Sequence, residues 1–316
     1  MKNTIRKLIT NWLYSNPKIS RAEKVLLSTI ALAARIFLID GSKRVSYLEY
    51  WQGKGVSILP NRYFEPIPEI SEVRKLLAHG PLLIDDWSDT DFDRDVEGAI
   101  SSVPEIANLK ECFSTILNNK MFNGLDLIIC EKIVQKFRPK RIIEIGAGYS
   151  TYAFLKFSDA DCRITSIEPY PSSFLKDLAT GQERITLIEQ KIQDLPSFEL
   201  FTELESGDIL FIDSTHVCNV GGDLPVIFSK ILPRLRPGVI VHVHDVALPY
   251  EYPESLVIGS GRLYNEQYLL SPLIAHGAYE PLFGSYRFLQ KRSLWLVSET
   301  QNSFVTTGAS LWLLKI

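Results

Sequence analysis

Apolar and polar residues follow one pattern before residue 121 and another after it. Beyond that point, short apolar runs typical of buried strands alternate with stretches whose apolar residues recur at helical spacing. Strands are predicted at 141–145, 163–167, 184–188, 208–213 and 239–245, and helices at 125–137, 150–157, 174–179 and 224–235. This alternation predicts a doubly wound, Rossmann-like α/β domain over residues 121–316, with a mostly parallel sheet covered on both faces.

Residues 1–120 lack this alternation and are predicted to form a mainly helical, partly extended cap region. Six basic residues within the first 24 precede an apolar run at 25–39. The run is shorter than the roughly 20 residues of a membrane span, contains Arg35, and is followed by no obvious cleavage site. We therefore expect an amphipathic or buried helix. A helix lying on a membrane surface through its basic flank, or a processed segment, are the alternatives.

An acidic segment at 85–97 contains Asp89, Asp91 and Asp93 at the spacing that opens a calcium-binding loop. Counted from Asp89, however, position 6 is Arg94 instead of glycine and position 12 is Ile100 instead of glutamate. The sequence therefore predicts a solvated loop that leads into a helix.

The composition is that of an ordinary globular protein, with a formal net charge of −3 and a pI near 6.0. This balance argues against nucleic-acid binding and favours a small-molecule partner. The four cysteines form no C-x-x-C pair and match no zinc pattern. We expect reduced thiols in a cytoplasmic protein, with peripheral membrane contact through the basic N-terminus as a further expectation. The sequence does not predict an oligomeric state.

Ligands of parallel sheets bind beyond the carboxyl ends of the strands, so the residues that follow the strands are the first candidates. The first strand leads into EIGAGYST at 144–151, whose glycines allow a sharp turn at the start of a helix. Thr151 stands where a dinucleotide fingerprint has its third glycine, which argues against a nicotinamide cofactor. Glu168 ends the second strand, where a carboxylate accepts hydrogen bonds from both hydroxyls of a ribose. A surface acid or helix cap is the alternative.

The later strand ends carry further polar residues. Gln193 and Asp194 follow the third strand, where an acid is suited to an adenine amino group, although a plain turn is equally compatible with the spacing. The fourth and fifth strands end in Asp213-Ser-Thr-His216 and His242-Val-His244-Asp245. A histidine there is suited to act as a general base near neutral pH, and Asp213, His244 and Asp245 are equally suited to hold a divalent metal. His242 is expected to be a buried, hydrogen-bonded residue.

Taken together, several segments resemble class I S-adenosylmethionine-dependent methyltransferases, and most of all a bacterial subfamily often linked to glycan or secondary-metabolite pathways. The segments are RIIEIGAGYST, ITSIEPYP, ITLIEQKIQDLP, DILFIDSTHV, LPRLRPGVIVHVHDVALPYEYP, NEQYLL and SLWLLK. The resemblance covers about residues 121–316. It implies a seven-stranded sheet whose last strand is antiparallel and inserted between two others.

The resemblance also implies S-adenosylmethionine as the cofactor and O-methylation as the reaction. The residues expected to contact the cofactor are Glu144, Gly146, Ala147, Gly148, Tyr149, Ser150, Glu168, Pro169, Asp194 and Asp213. The catalytic candidates are His216, His244, Asp213 and Asp245. Metal-using relatives commonly have two adjacent acids after the fifth strand, whereas this chain has His244-Asp245. That difference disfavours magnesium and favours another metal or a histidine base.

The expected acceptor is a hydroxyl on a small molecule or a glycan, with nitrogen as an alternative. Two other functions remain open at this point. One is a metal-dependent oxygenase or hydroxylase on the same fold, in which Asp213, His216 and His244 form a two-histidine, one-carboxylate site. The other is a non-catalytic binding module that keeps the fold without the reaction.

Overall fold

The computed structural model describes residues 20–38, 44–56, 67–114, 121–122, 124–299 and 308–316. The chain divides into two compact units, residues 1–72 and 73–316. Residues 1–19, which hold most of the basic N-terminal flank, lie outside the described residues.

The helices of eight or more residues are α1 (Arg21–Leu38), α2 (Arg44–Gln52), α3 (Ile70–Leu77), α4 (Asp91–Ser101), α5 (Val103–Cys112), α6 (Leu125–Phe137), α7 (Tyr149–Phe157), α8 (Ser173–Thr180) and α9 (Glu266–Ala275). Two shorter helices near the end are α10 (Ser285–Lys291) and α11 (Ser293–Glu299). The strands are β1 (Arg141–Ile145), β2 (Arg163–Ile167), β3 (Ile185–Ile188), β4 (Ile209–Ile212), β5 (Ile240–Val243), β6 (Tyr279–Gly284) and β7 (Leu311–Lys315).

The seven strands form one sheet in the order β3-β2-β1-β4-β5-β7-β6. The first five pair in parallel, whereas β7 is antiparallel to both β5 and β6. The predicted doubly wound sheet and its inserted antiparallel strand are both confirmed. The parallel pairing brings the carboxyl ends of β1, β2, β4 and β5 to one edge, which is where the candidate residues lie.

Both faces of the sheet are buried, and alternate residues of each strand serve different cores. In β4, for example, Ile209 and Phe211 pack into one core with α4, α5 and α6. Leu210 and Ile212 pack into the other, with the segment that follows β4. Apolar runs without polar alternation are what a strand covered on both sides requires.

The second unit begins well before residue 121. Phe92, Val96 and Leu109 of α4 and α5 are buried in the same core as α6 and the sheet. Residues 73–114 are therefore structurally part of the α/β unit. The role of residues 1–120 as a cap over a ligand pocket stays a prediction.

The acidic segment is an exposed loop that leads into a helix, as expected, since Asp85, Asp86, Ser88 and Asp89 are all exposed. It also surrounds a buried arginine, which was not expected. Arg287 of α10 is fully buried, and its guanidinium lies 2.6 Å from Asp86, 2.9 Å from Asp89 and 3.4 Å from the buried Asp93. It also donates to the carbonyl of Trp87. Local sequence patterns could not indicate this pairing because the partners are about 200 residues apart.

The helix predicted at 224–235 is interrupted. A short α-helical start at Leu224–Val226 passes into a wider π-helical turn at Ile227–Ile231 and then a 3-10 turn at Leu232–Arg234. Pro233 lacks the N–H that would bond one turn back, and its ring crowds the preceding turn. A proline at that position accounts for the change of pitch.

In the first unit, the apolar run lies within helix α1 as predicted. Several of its apolar side chains are exposed, among them Val25, Leu26 and Leu32, so a buried helix is not what the described residues show. Within the described ranges, no helix is long and apolar enough to cross a membrane.

We predict that Arg287→Ala lowers the free energy of unfolding by about 3–5 kcal/mol, because the buried carboxylate of Asp93 loses its nearer cation and keeps only Arg292, 3.8 Å away. Urea denaturation of the purified protein measures the change. Arg94→Ala is the matched control, because Arg94 pairs only with the exposed Asp91 in the same helix and such pairs contribute little. Equal losses in the two variants would contradict the proposed importance of the buried pair.

Candidate active site

A cavity of about 800 Å³ opens at the carboxyl edge of the parallel strands. We call it the cofactor cleft. The residues that line it are Ile145, Gly146, Ile167, Glu168, Pro169, Tyr170, Lys191, Ile192, Gln193, Asp213, Ser214, Thr215, Val217, Asn219, Val220, Gly221, Gly222 and Asp223. Its position beyond the ends of β1, β2 and β4 is where ligands of such sheets bind.

Gly146 makes the turn after β1 possible. Its φ of +81° lies in the left-handed region, and a Cβ there would overlap the backbone carbonyl of Asp213. Both the conformation and the close approach require glycine. The first of the two predicted glycines is therefore needed to keep the ends of β1 and β4 together beside the cleft.

Glu144 supports this turn from inside. Its buried carboxylate accepts hydrogen bonds of 2.7 Å from the hydroxyls of Ser150, Thr151 and Ser166. Burial raises the pKa of Glu144 to about 7, against the opposing effect of the three hydroxyls. Its carboxylate faces these hydroxyls, so direct contact with a cofactor stays a prediction. Thr151, which replaces the third glycine, has a structural use here.

Glu168 lines the cleft directly after the end of β2. One carboxylate oxygen accepts a hydrogen bond of 2.8 Å from the backbone N–H of Tyr170, and the other lies 3.4 Å from the N–H of Ala147. These contacts hold the carboxylate across the glycine turn. Each oxygen keeps further acceptor capacity for the hydroxyls of a ligand.

Three other residues that were predicted to contact the cofactor do not line the cofactor cleft, namely Gly148, Tyr149 and Asp194. Asp194 is exposed and is not part of the cleft lining, whereas the adjacent Gln193 is. Contact of Asp194 with a cofactor stays a prediction. Gly148 precedes α7, and Tyr149 packs on Phe174 at the start of that helix. Sequence reasoning also missed Asp223, which accepts hydrogen bonds from the N–H and hydroxyl of Thr215 in the cleft.

Asp213, His216, His244 and Asp245 come together at the ends of β4 and β5, and we call them the His–Asp cluster. His216 Nε2 lies 3.3 Å from Asp213 Oδ1 and 3.5 Å from Asp245 Oδ2. His244 Nδ1 lies 3.4 Å from Asp245 Oδ1 and 3.8 Å from Asp213 Oδ1. The sequence therefore predicted four residues that the fold does place together.

Each histidine has a buried carboxylate behind it, and sequence reasoning assigned neither of them. Glu266 Oε1 at the start of α9 lies 2.6 Å from His216 Nδ1. Asp126 Oδ2 at the start of α6 lies 3.6 Å from His244 Nε2. Asp126 also accepts from the backbone N–H groups of Ala309 and Ser310. The Asn265-Glu266-Gln267 segment was the available signal, but nothing in its spacing pointed to His216.

Two members of the His–Asp cluster have unusual backbone conformations. His216 has a φ of +62° and Asp245 a φ of +54°. Non-glycine residues rarely adopt this region, and when they do they concentrate at functional sites. These backbone conformations direct the side chains of His216 and Asp245 toward each other, to a distance of 3.5 Å.

The electrostatics of the cluster favour protonated histidines. Burial opposes the charged form of His216, but Asp213 and Glu266 outweigh it and raise its pKa to about 10. Asp213, Asp126 and Asp245 likewise raise the pKa of His244 well above its usual value, despite burial. The carboxylates thus stabilise the positively charged form of both histidines.

His242 is a buried, hydrogen-bonded residue, as expected. It stacks on Phe211 at a centroid distance of 4.0 Å, and its Nε2 lies 2.8 Å from Ser310 Oγ. Burial lowers the pKa of His242 well below its usual value. It is a core residue that connects β4, β5 and the segment before β7.

A second cavity of about 270 Å³ adjoins the cluster at Asp245. We call it the second pocket. Apolar and aromatic side chains such as Val246, Leu256 and Tyr286 line it together with Asp245. Asp213 lines the cofactor cleft and Asp245 the second pocket, so the His–Asp cluster lies between two cavities that have different linings.

The comparisons with known proteins agree with this geometry. Residues 143–246, from β1 to the residue after Asp245, match the family model of a methyltransferase domain. This stretch, about a third of the chain, is similar to a methyltransferase domain. The predicted resemblance is thereby confirmed, and the matched residues include the glycine turn, Glu168 and the whole His–Asp cluster.

Similarity also extends to individual proteins. An uncharacterized protein from Archaeoglobus fulgidus is 28% identical over 166 residues, which are 48% of this chain and 75% of that protein. An O-methyltransferase from Bacillus cereus, solved with SAH, is 17% identical, with a TM-score of 0.42 over 72% of this chain and 97% of its own. An N1-methyltransferase from Burkholderia thailandensis is 15% identical, with a TM-score of 0.37 over 73% and 93% of the two chains.

We predict that Glu144 makes stability fall as pH rises. Its pKa is raised on folding, so its contribution is fully present below about 4.5 and is lost as pH rises through about 7. Glu144→Gln keeps the shape but cannot ionise. Wild type should therefore lose on the order of 3 kcal/mol relative to the variant between pH 5 and pH 8.5. Denaturation at both pH values measures this, and parallel pH profiles would show that Glu144 does not titrate on folding.

Proposed function

We propose that the protein transfers the methyl group of S-adenosylmethionine to a hydroxyl of a small molecule or a glycan. The observation that carries this proposal is the cofactor cleft, in which the Gly146 turn and Glu168 lie at the ends of adjacent parallel strands inside the matched methyltransferase domain.

The cleft suggests how the cofactor binds. Glu168 would accept hydrogen bonds from the two ribose hydroxyls, because its carboxylate is held by the N–H of Tyr170 and stays open to the cleft. The glycine turn would lie along the methionine part, with Asp213 beneath the sulfonium. Gln193 replaces Asp194 as our candidate for the adenine, since it lines the cleft.

The second pocket suggests where the acceptor lies. It adjoins Asp245, so a hydroxyl of a molecule bound there would meet the methyl group at the His–Asp cluster. Its mixed lining of aromatic, aliphatic and hydroxyl-bearing side chains suits a ring that carries hydroxyl groups. The mainly helical N-terminal region is our candidate for closing the site.

Methyl transfer is an in-line displacement, so the protein mainly orients the two reactants and activates the hydroxyl. Two means of activation are available to the His–Asp cluster. A histidine that has lost its own proton could accept the hydroxyl proton as the C–O bond forms, and the raised pKa of both histidines moves that state to alkaline pH. Alternatively, a cation held by the cluster would lower the pKa of the hydroxyl. Asp213 and Asp245 would orient the base in the first case and bind the cation in the second.

The methyltransferase proposal has more support than its rivals. The oxygenase alternative uses the same Asp213, His216 and His244 but leaves Glu168 and the large cleft without a purpose. The non-catalytic alternative does not explain why two residues of the cluster keep left-handed backbone conformations.

We predict that the purified protein binds S-adenosylmethionine and S-adenosylhomocysteine, and that Glu168→Ala weakens both roughly ten- to a hundredfold. The loss reflects two hydrogen bonds to a charged acceptor. Calorimetric titration measures it, with unchanged thermal unfolding as evidence that the variant folds.

Glu189→Ala is the matched control, because Glu189 is a nearby exposed acid paired with Lys176 outside the cleft. It should bind like wild type, and Glu168→Gln should lie between the two. If wild type binds neither compound, the methyl-transfer proposal is withdrawn and only the fold assignment stands.

A further inference from the structure

The second pocket has room for one ring. Its volume of about 270 Å³ lies just below the roughly 300–1,000 Å³ of pockets that hold drug-sized ligands. A disaccharide or a nucleotide-linked sugar would extend well outside it. Tyr252 and Tyr286 contribute aromatic walls, and Val246, Ala247 and Leu256 contribute aliphatic ones. The pocket therefore presents a mainly apolar surface to a small ring.

The charge that this surface carries is negative. Among the described residues that line the pocket, Asp245 alone is charged, and its side chain is 26% exposed. The other polar groups of the lining are the hydroxyls of Tyr252, Tyr286, Ser255 and Ser260. A hydroxyl group can donate to or accept from a neutral ligand, but it does not neutralise an anionic one.

The side chains behind Asp245 add to the negative charge. The two carboxylates of the His–Asp cluster balance its two histidines only when both are protonated. Asp126 and Glu266, which face those histidines, contribute two further carboxylates. Arg262 lies near Asp245 but is exposed to solvent, which screens it. Within the described ranges, no three His, Cys, Asp or Glu side chains are arranged to hold a metal ion, so the balance counts side chains alone.

Tyr252 experiences this charge directly. Burial raises the pKa of its hydroxyl, and the negative charges of Glu266 and Asp245 raise it further. The same charges act on any anion that enters the pocket. Charges interact more strongly in an apolar, partly dry site than in water, and an anion also loses its hydration there without gaining a partner of opposite charge.

We propose that the second pocket selects acceptor rings that are neutral or positively charged, and that it rejects anionic ones such as sugar phosphates, nucleotide-linked sugars and aromatic carboxylates. The word acceptor rests on the proposed methyl transfer, whereas the selection by charge concerns binding alone. The proposal narrows the acceptor to a single hydroxylated ring, with or without an amino group. An ammonium group on that ring would lie within the field of Asp245.

Three phenols of similar size test the selection without cofactor or true acceptor. At neutral pH tyramine carries a positive charge, 4-ethylphenol none and 3-(4-hydroxyphenyl)propionate a negative one. Their binding to the full chain in EDTA is measured by ligand-detected nuclear magnetic resonance. We expect the carboxylate to bind at least tenfold more weakly than 4-ethylphenol, and tyramine at least as tightly as 4-ethylphenol. Raising the salt concentration from about 0.05 to about 0.5 M should narrow the difference.

Two variants locate the binding and its cause. Ser260→Lys places a positive charge on an exposed residue of the lining, so it should raise the affinity for the carboxylate and lower that for tyramine, each several-fold. Ser101→Lys is the matched control, because Ser101 is an exposed serine at the end of α4 and does not line the pocket. Leu256→Trp fills the pocket and should abolish binding of all three phenols, with unchanged thermal unfolding as evidence that it folds.

Four results would each overturn the inference. They are equal binding of the carboxylate and 4-ethylphenol, no binding of any phenol at about 10 mM, binding that Leu256→Trp leaves intact, and a charge preference that Ser260→Lys does not shift. Each leaves the S-adenosylmethionine titration unaffected. If the phenols instead bind in the expected order while wild type fails to bind S-adenosylmethionine, the proposed methyl transfer alone is refuted, because the phenol titrations use no cofactor.

Discussion

The candidate site depends on the parallel pairing of β1, β2, β4 and β5. Because these strands run in the same direction and in register, their polar ends meet at one edge. Gly146 then lets the backbone of β1 approach that of β4 so closely that a Cβ has no room. The cofactor cleft and the His–Asp cluster both follow from this arrangement, since each takes its residues from at least two strand ends.

The α/β unit buries several carboxylates, and it stabilises each in a different way. Glu144 faces three hydroxyls, Asp93 faces the guanidinium of Arg287, and Asp126 accepts backbone N–H groups. Glu266 instead faces a histidine, within a cluster that has more acid than base. Hydroxyls can bond a carboxyl group whether or not it carries a proton, whereas a histidine between several acids depends on protonation or on a cation. That difference separates Glu144, Asp93 and Asp126 from Glu266, which lies beside the candidate catalytic residues.

Much of the fold could be predicted from local pattern, because each parallel strand is a continuous apolar run and each strand end carries its own polar residues. Asp213, His216, His244 and Asp245 were found in this way. Asp126 and Glu266 were not, since each lies on a helix far along the chain from its histidine and only tertiary packing brings them together. Arg287 was missed for the same reason. The error at 224–235 was local, because apolar spacing was given more weight than Pro233.

The position of β7 has a consequence for the order in which the unit can assemble during synthesis. It is the last strand that the structure describes, yet it lies between β5 and β6, and the residues just before it bind Asp126 and His242. A nascent chain can pair β1 to β5 as they emerge from the ribosome. Asp126, which faces His244, gains the backbone N–H donors of Ala309 and Ser310 only after these two residues have been synthesised. The surroundings of the His–Asp cluster are thus completed late. A chain synthesised only as far as β6 holds Asp126 without the two N–H groups that fix its position.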